Sequence, residues 1–433
     1  MKAEPVKRAF KFRFYPTDVQ AAELLRTFGC VRKVYNLALQ ARTEAWYQRQ
    51  ERVNYNATSA LLTAWKKTDE LGFLAEVSSV PLQQTLRHLQ AGFSHFFEGR
   101  AKYPKFKSRK KSKAAAEYTR SAFRYRDGHL TLAKMTAPLD VVFSRPLPEG
   151  VQPTTVTVSR DSAGRWFVSL LCEDASVAAL PPVADVIGVD AGVTALVTLS
   201  TGEKVTNPRH ERTDRARLAK AQRQLGKKEK GSKNRDKARA KVARVHARIT
   251  DRRRDFLHQL TTRLVRDNQT IVIEDLNVAG LLKNHTLARA ISDAAWTELR
   301  SLLEYKCQWY GRTLVVVDRW FPSSKTCSAC GHVKASMPLG KRVFHCERCP
   351  LVLDRDINAA RNILAAGLAV TVCGDGVRPQ RSTPARQSSA KQKTQPARAG
   401  LSSLQGGEEV KSRTPGKRWP SRPGSTRDPA AHR

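Results

Sequence analysis

The sequence has no long apolar segment and no secretion signal. Nowhere in its 433 residues do apolar side chains run uninterrupted for about 18 positions, the length that a membrane-spanning helix needs. The N-terminus also lacks the charged, apolar and small-residue pattern of a signal peptide. We therefore expect a cytoplasmic protein without a membrane partner, long enough to hold two or three domains.

Acidic residues are scarce, and the excess of basic residues is concentrated. Asp and Glu number 39 against 77 Lys and Arg, which gives a formal net charge of +38. Residues 100–113 contribute +8, residues 209–266 contribute +15 and residues 374–433 contribute +9, so these segments hold +32 of the total. Patches of this kind are typical of surfaces that bind a polyanion. In the absence of a membrane anchor, they favour nucleic acid as the partner.

The eight cysteines do not suggest a disulfide framework. Four are scattered along the chain: Cys30, Cys172, Cys307 and Cys373. The other four form two close pairs, with two residues inside each pair and 15 between the pairs: Cys327, Cys330, Cys346 and Cys349. Two Cys-x-x-Cys turns supply four thiolates for a tetrahedral zinc ion. Because four protein ligands leave no open position, we predict that this zinc is structural.

Acidic residues also recur at the ends of predicted strands. Asp190 interrupts a valine-rich apolar run, with Gly188 and Gly192 on either side, and Glu274 ends a second apolar run at 270–275. A strand-end aspartate taken alone is best explained as facing solvent, but the repetition favours a shared site. Converging carboxylates repel one another unless a cation lies among them, and their oxygens suit Mg²⁺ or Mn²⁺. The alternative is that these acids never meet in space.

A third acidic position follows the cysteines, where Asp354 and Asp356 open a predicted helix. If the helix begins near Asp356, then Asp356, Ala359, Ala360 and Ile363 recur at helical spacing on one face. This small and apolar face suits packing against a sheet, which would aim Asp356 toward the strands that bear the other two acids. Asp354 would then cap the helix or orient a neighbour through a hydrogen bond.

The N-terminal half combines strands, helices and a basic loop. Residues 7–15 alternate as in a half-buried strand, Thr17 and Gln20 form a capping box, and helices follow to about residue 99. Short strands at 121–174 could close a small β-barrel with strand 7–15. The basic loop carries the residues that we predict to bind nucleic acid: Tyr103, Lys105, Phe106, Lys107, Arg109 and Lys110. The alternative is a merely solvated loop.

The C-terminal half alternates long helices with strands. Residues 209–266 read as a basic helical hairpin that is broken near 226–231. A further amphipathic helix is predicted at 292–309 and a strand at 313–317. The segment 374–433 is rich in Pro, Ser, Gly, Gln and Arg, so we predict a disordered tail. We also predict that cleavage does not require the chain beyond about residue 379.

Several motifs occur in an order that resembles a known family. They are Gly188-Val-Asp-Ala-Gly192, Ile273-Glu-Asp-Leu-Asn277, the four cysteines and Asp354-Arg-Asp-Ile-Asn-Ala-Ala-Arg-Asn362. Three further stretches match less specifically: Phe12-Arg-Phe-Tyr-Pro16, Tyr103-Pro-Lys-Phe-Lys107 and Cys373-Gly-Asp-Gly-Val-Arg-Pro379. So arranged, the chain resembles the TnpB (OrfB) proteins of bacterial insertion sequences, which are related to type V CRISPR nucleases.

The resemblance implies an α/β RNase H-like (RuvC) nuclease core behind an N-terminal β-barrel with a helical recognition lobe. The implied order is a barrel and recognition region at 1–180 and a first part of the core at 181–320. After these come a zinc ribbon at 321–350, the last part of the core at 351–373 and the disordered basic tail at 374–433.

The resemblance also implies a function: RNA-guided cleavage of double-stranded DNA beside a short transposon-adjacent motif. The guide RNA would derive from the element, and Asp190, Glu274 and Asp356 would be the catalytic ligands of Mg²⁺ or Mn²⁺ in a two-metal mechanism. One alternative is a transposase or recombinase that acts directly on element ends. Another is an RNA-guided repressor that binds DNA without cleaving it, although all three carboxylates are present.

Overall fold

The computed structural model describes residues 6–338 and 340–372, and side chains as far as residue 370. The predicted disordered tail at 374–433 and Cys373 lie outside these residues. The chain divides into a larger compact unit, residues 6–25 with 113–372, and a smaller one, residues 26–112. None of the helices in the described ranges combines the length and hydropathy that a membrane span requires.

The smaller unit is helical. It holds most of α1 (Asp18–Arg49), then α2 (Tyr55–Trp65), a short 3₁₀ helix (Gly72–Ala75) and α3 (Ser79–Phe97). The predicted capping box opens α1. The Thr17 N–H donates to the Gln20 side chain at 3.1 Å, and the Gln20 N–H donates to the Thr17 side chain at 3.3 Å. Apolar residues at helical spacing form the core of the unit: Val34, Leu39, Leu62, Leu82, Leu86, Leu89 and Phe93.

An antiparallel sheet begins the larger unit. Its five strands are β1 (Val6–Phe14), β2 (Ala114–Thr119), β5 (Val141–Val142), β6 (Pro153–Arg160) and β7 (Trp166–Asp174). They lie in the order β2-β6-β7-β1-β5, beside a separate hairpin of β3 (Phe123–Arg126) and β4 (His129–Leu132). The predicted strands are therefore present. Among the described residues no pairing joins the edge strands β2 and β5, so closure into a barrel stays a prediction.

A second, mixed sheet forms the centre of the larger unit. Its strands are β8 (Val186–Ala191), β9 (Ala195–Leu199), β10 (Lys204–Thr206), β11 (Thr270–Glu274) and β12 (Thr313–Val317). The order is β10-β9-β8-β11-β12, antiparallel from β10 to β8 and parallel from β8 to β12. Apolar residues alternate to both faces of β11 and β12, so this part of the sheet is buried on both sides.

Helices cover the two faces of this sheet. The predicted basic hairpin is α4 (His210–Gly226) and α5 (Lys233–Asp267), and α6 (Val278–Leu281) follows β11. Where one helix was predicted at 292–309, the chain has α7 (Ala288–Ala294) and α8 (Trp296–Tyr310). They are separated at Ala295, whose φ of 53° interrupts the helix. α5, α7 and α8 pack on one face, and the C-terminal helix α9 (Arg355–Val372) packs on the other.

Candidate active site and cysteine centre

Two of the predicted catalytic acids lie at the ends of neighbouring parallel strands. β8 and β11 pair in register up to Val189 and Ile273, so the next residues, Asp190 and Glu274, come side by side. Side chains alternate along a strand, and Val189 and Ile273 belong to the core beneath α5 and α8. Asp190 and Glu274 therefore share the opposite face, which α9 covers.

Close packing of α9 on the sheet brings the third acid to this face. A Cβ atom at Gly188 would lie 2.2 Å from the carbonyl oxygen of Ala360, so only glycine lets the helix approach. Asp190 is two residues beyond Gly188 on the same face of the strand, and Asp356 is one turn before Ala360. As predicted, Ala359, Ala360 and Ile363 are buried. The packing thus directs Asp356 toward Asp190 and Glu274.

The electrostatics show that these acids influence one another. Burial, followed by repulsion from Asp356 and Glu274, raises the pKa of Asp190 to about 7. Burial and the neighbouring Asp275 carboxylate also raise the pKa of Glu274. Within the described residues, neither Asp190 nor Glu274 makes a side-chain hydrogen bond or ion pair. Clustered, unneutralised oxygens of this kind are chemically suited to a hard divalent cation.

Asp354, the neighbour of Asp356 in sequence, has a different environment. Its Oδ1 accepts hydrogen bonds from the N–H groups of Asp356 and Ile357, at 3.0 and 3.2 Å, so it caps α9 as predicted. Its Oδ2 accepts from Lys204 Nζ at 2.7 Å. Burial acts to raise its pKa, but the Lys204 ammonium and the two backbone donors make the net shift a lowering. Asp354 is already neutralised by the protein, whereas Asp190 is not.

Asp275 shows the same contrast beside Glu274. It accepts hydrogen bonds from Arg300, at 2.5 Å, and from Arg319. Burial opposes the effect, but the two guanidinium groups lower the pKa of Asp275 overall. The Ile273-Glu-Asp motif therefore contains one acid that is paired with arginines and one that is available as a ligand.

The four predicted zinc ligands come together closely. Their sulfur atoms all lie within 4.8 Å of one another, and the Cys327–Cys349 and Cys330–Cys346 pairs are 3.6 Å apart. Zinc–sulfur bonds of about 2.3 Å in a tetrahedron require sulfur separations of about 3.8 Å, so the thiols fit zinc. A hydrogen bond from the Arg348 N–H lowers the pKa of Cys346 to about 6, which favours the thiolate.

No carboxylate cluster comparable to the four thiols occurs among the described residues. The cysteines are the one group of three or more His, Cys, Asp or Glu side chains there whose ligand atoms are grouped closely enough to hold a metal ion. Sequence reasoning did not identify four residues beside these centres. Lys204 pairs with Asp354, Arg342 lies near Asp356, and Asn358 and Asn362 contact the backbone around Cys327. The two asparagines were visible in the Asp354–Asn362 motif but had no assigned role.

The predicted nucleic-acid-binding residues divide into two groups. Tyr103 is half-buried. Its hydroxyl forms a hydrogen bond of 2.8 Å with the Thr43 hydroxyl, and its ring contacts the Phe93 ring edge-on. Lys107 is also half-buried, with its ammonium 3.8 Å from the centre of the Tyr35 ring, and burial lowers its pKa. Both therefore support the fold of the smaller unit. The remaining four are exposed: Lys105, Phe106, Arg109 and Lys110.

The fold is shared with a protein of known structure. The chain superposes on Cas12f1 in a cryo-EM structure of the Cas12f1–sgRNA–target DNA complex, with a TM-score of 0.53. The sequence identity is 14%, and the match covers 83% of this chain and 98% of that one. At this identity the likeness establishes the fold alone, that of the Cas12f class.

Sequence comparisons then give the family. Residues 158–285 match the model described as "Probable transposase", and residues 296–363 match "Cas12f1-like, TNB domain". A Streptomyces pristinaespiralis protein named "Putative RNA-guided DNA endonuclease" is 69% identical over 402 residues, 93% of this chain and 100% of the relative. InsQ of Escherichia coli K12, which carries the same description, is 33% identical over 88% of this chain and 96% of its own length. The chain belongs to the TnpB (OrfB) family, as its motifs predicted.

Proposed function

We propose that this protein is an RNA-guided, divalent-metal-dependent DNA endonuclease that is encoded by a transposable element. It would cleave double-stranded DNA beside a short transposon-adjacent motif, using an RNase H-like (RuvC) core. The observation that carries the proposal is the convergence of Asp190, Glu274 and Asp356 on one face of the mixed sheet. The names of the two relatives, both RNA-guided DNA endonucleases, support the same activity.

In this proposal the three carboxylates hold two Mg²⁺ or Mn²⁺ ions. Asp190 is repelled by both of the other acids, so the three side chains together would supply the oxygen ligands for the ions. When bound, the ions lower the pKa of an attacking water and stabilise the leaving oxygen of the phosphodiester. Asp354 stays paired with Lys204, and Asp275 stays paired with Arg300 and Arg319. Both orient the backbone that bears the ligands. The cysteine centre would hold structural zinc and take no part in the chemistry.

The charge distribution supports nucleic acid as both guide and target. The α4–α5 hairpin lies within the segment that carries +15, and Lys105, Arg109 and Lys110 are exposed in the other described basic segment. Both surfaces would bind phosphates without reading sequence, because lysine and arginine neutralise the backbone. Sequence would be read by pairing between the guide and one DNA strand.

A reconstituted cleavage assay tests the proposal. Protein that is co-expressed with its element should co-purify with a discrete RNA and cut a matching plasmid when Mg²⁺ is added. RNase treatment should remove the activity. Substituting alanine for Asp190, Glu274 or Asp356 should abolish cleavage but leave guide and target binding largely intact. Asp185→Ala, which removes an exposed acid near the start of β8, is the matched control and should cleave normally.

The same assay separates the alternatives. RNase-resistant strand transfer at element ends would indicate a transposase that acts directly on DNA. Guide-dependent binding without cleavage at any Mg²⁺ concentration would indicate a repressor. Either result would overturn the proposal.

A further inference from the structure

We infer that Asn358 and Asn362 are positioning residues that tie the cysteine centre to the carboxylate site. The inference rests on the proposed role of Asp356 as a metal ligand. Both asparagines lie on α9, two and six residues after Asp356, and both are buried. Each directs its side chain into the backbone around the first Cys-x-x-Cys turn.

Asn358 contacts the backbone on both sides of Cys327. Its Nδ2 donates to the carbonyl oxygen of Thr326 at 2.7 Å, and its Oδ1 accepts from the N–H of Ser328 at 3.0 Å. An amide offers a donor and an acceptor at once, which no aliphatic or carboxylate side chain of this size can do. Asn358 therefore holds the position of a zinc ligand, Cys327, relative to α9.

Asn362 adds a second attachment one turn further along the helix. Its Nδ2 donates to the carbonyl oxygens of Thr326, at 2.6 Å, and Ser323, at 2.8 Å. Buried amides of this kind would leave backbone groups unsatisfied if they were removed. Together the two side chains fasten α9 to the chain segment that enters the cysteine centre.

The second half of the cysteine centre is attached on the other side of Asp356. Strand β13 (Val343–His345), which ends just before Cys346, pairs antiparallel with β14 (Val352–Asp354), which leads directly into α9. The N–H of Arg355 donates to the carbonyl oxygen of Arg342 at 2.8 Å. The Arg342 guanidinium lies 3.9 Å from Asp356 Oδ2. Both Cys-x-x-Cys turns thus adjoin the backbone that carries Asp356.

A coupling in both directions follows. Thiolates fixed on zinc hold the turn at Cys327, the turn holds α9 through the two asparagines, and α9 holds Asp356 against the sheet. If the asparagines only satisfied buried polar groups, their removal would lower stability without changing either metal site selectively. Zinc retention and Mg²⁺ dependence therefore report on the coupling, and stability alone does not.

The variants Asn358→Ala and Asn362→Ala test the inference in the full-length guide complex. Each should release zinc to a chromogenic chelator about tenfold faster than wild type, since each loses hydrogen bonds to the turn. The Mg²⁺ concentration for half-maximal cleavage should rise by about tenfold as well, with guide binding unchanged. Leu299→Ala is the matched control, because Leu299 is buried on α8, on the face of the mixed sheet opposite α9. Asparagine variants that matched Leu299→Ala in both readouts would overturn the inference.

A measurement on the wild-type protein decides the matter even if the variants do not fold. Removing zinc should accelerate hydrogen exchange at the backbone amides of residues 354–362 more than at residues 364–370 of the same helix. Equal or unchanged exchange in the two segments would overturn the inference. An active Asp356→Ala variant would instead refute the proposed catalytic role, and the zinc-release and exchange results would not depend on it.

Discussion

The cysteine centre and the carboxylate site are assembled in different ways. The four thiols come from residues 327–349, and two short turns bring them within 4.8 Å of one another. The three carboxylates come from two strands and a helix that are far apart in sequence, and they meet through sheet register and helix packing. The thiols are therefore specified locally, whereas the carboxylates depend on the whole larger unit being folded.

The difference also appears in how each set of ligands is supported. Hydrogen bonds from backbone N–H groups stabilise a thiolate at Cys346 in the absence of a cation. Asp190, by contrast, has no such donor among the described residues, and burial together with its neighbours favours its protonated form. In both centres like groups crowd one another: a hydrogen bond from the backbone at Leu351 acts to lower the pKa of Cys349, but burial and the neighbouring thiols raise it to about 12. The centres therefore differ in the backbone hydrogen bond that offsets this crowding at Cys346.

The largest effect should come from a steric clash that separates α9 from β8. In Gly188→Ala the new Cβ would clash with the Ala360 carbonyl oxygen, which belongs to the backbone and cannot rotate away. We expect α9 to shift, cleavage to fall at least about a hundredfold, and the free energy of unfolding to fall by about 1–3 kcal/mol. Zinc content should stay near one per chain.

Gly226→Ala is the control for that experiment. It lies at the end of α4, where an added Cβ would meet no atom within 4 Å, so cleavage and stability should match wild type. Normal cleavage by Gly188→Ala would show that the contact between α9 and β8 does not position Asp356.

The next effect tests the cysteine centre. Cys330→Ser removes one thiolate, so zinc should be lost and the fold around residues 321–350 should loosen, because metal binding and local folding are coupled. Elemental analysis under reducing conditions and limited proteolysis measure the two effects. The control is Cys172→Ser, which changes a buried cysteine outside the cluster, and this variant should retain zinc. Wild-type protein that contained no zinc would refute the assignment.

A smaller effect concerns the protonation of Asp190. Its folded-state pKa, about 7, lies above the ordinary value of 3.8, so the folded protein binds this proton more tightly than the unfolded chain does. In Mg²⁺-free buffer, the contribution of Asp190 to stability should therefore fall as pH rises from about 4 to about 7, by on the order of 4 kcal/mol. Asp190→Asn cannot ionise, so it should be more stable than wild type at pH 8 and yet inactive.

Unfolding curves at pH 5 and pH 8 test this, in buffer without a chelator so that zinc is retained. Wild-type protein should also require more Mg²⁺ for cleavage below pH 7, since protons compete with the cation at Asp190. An Asp190→Asn variant that was less stable than wild type at pH 8 would contradict the raised pKa of Asp190.

The smallest effect concerns a region that belongs to neither metal site. Changing Lys105, Arg109 and Lys110 to glutamine should weaken RNA or DNA binding about uniformly across sequences and flatten its dependence on salt. Zinc content and Mg²⁺ dependence should not change. Lys107→Met is the contrasting variant. Because Lys107 packs on the Tyr35 ring, this substitution should lower stability more than it alters the salt dependence of binding. An unchanged salt slope in the triple variant would show that the loop is only solvated.

Sequence patterns predicted what depends on local spacing. The capping box at Thr17, the broken hairpin at 209–266 and the four thiols were all found where predicted, because each is set by residues a few positions apart. The cap formed by Asp354 was predicted for the same reason. The family resemblance was also correct, since its motifs combine several such local signals.

Several features that depend on long-range contacts were not predicted. The left-handed conformation of Ala295 follows from how α7 and α8 pack, and alanine carries no sequence signal for it. The partners that α1 and α3 supply to Tyr103 and Lys107 could not be read from composition, and nucleic-acid binding by these two half-buried residues stays a prediction. The tie through Asn358 requires the turn at Cys327 to lie beside α9, which no spacing rule reveals.

The central claim is that Asp356, and not Asp354, completes a divalent metal site with Asp190 and Glu274. Mn²⁺ titration of the guide complex tests it most directly, with the Asp190→Ala complex as the baseline for ions bound by the RNA. We expect wild type to bind Mn²⁺ above this baseline, Asp356→Ala to match the baseline, and Asp354→Asn to bind with at most about tenfold weaker affinity. Zinc content should be equal in all four proteins. Binding by Asp356→Ala at the wild-type level, or its loss in Asp354→Asn alone, would contradict the account.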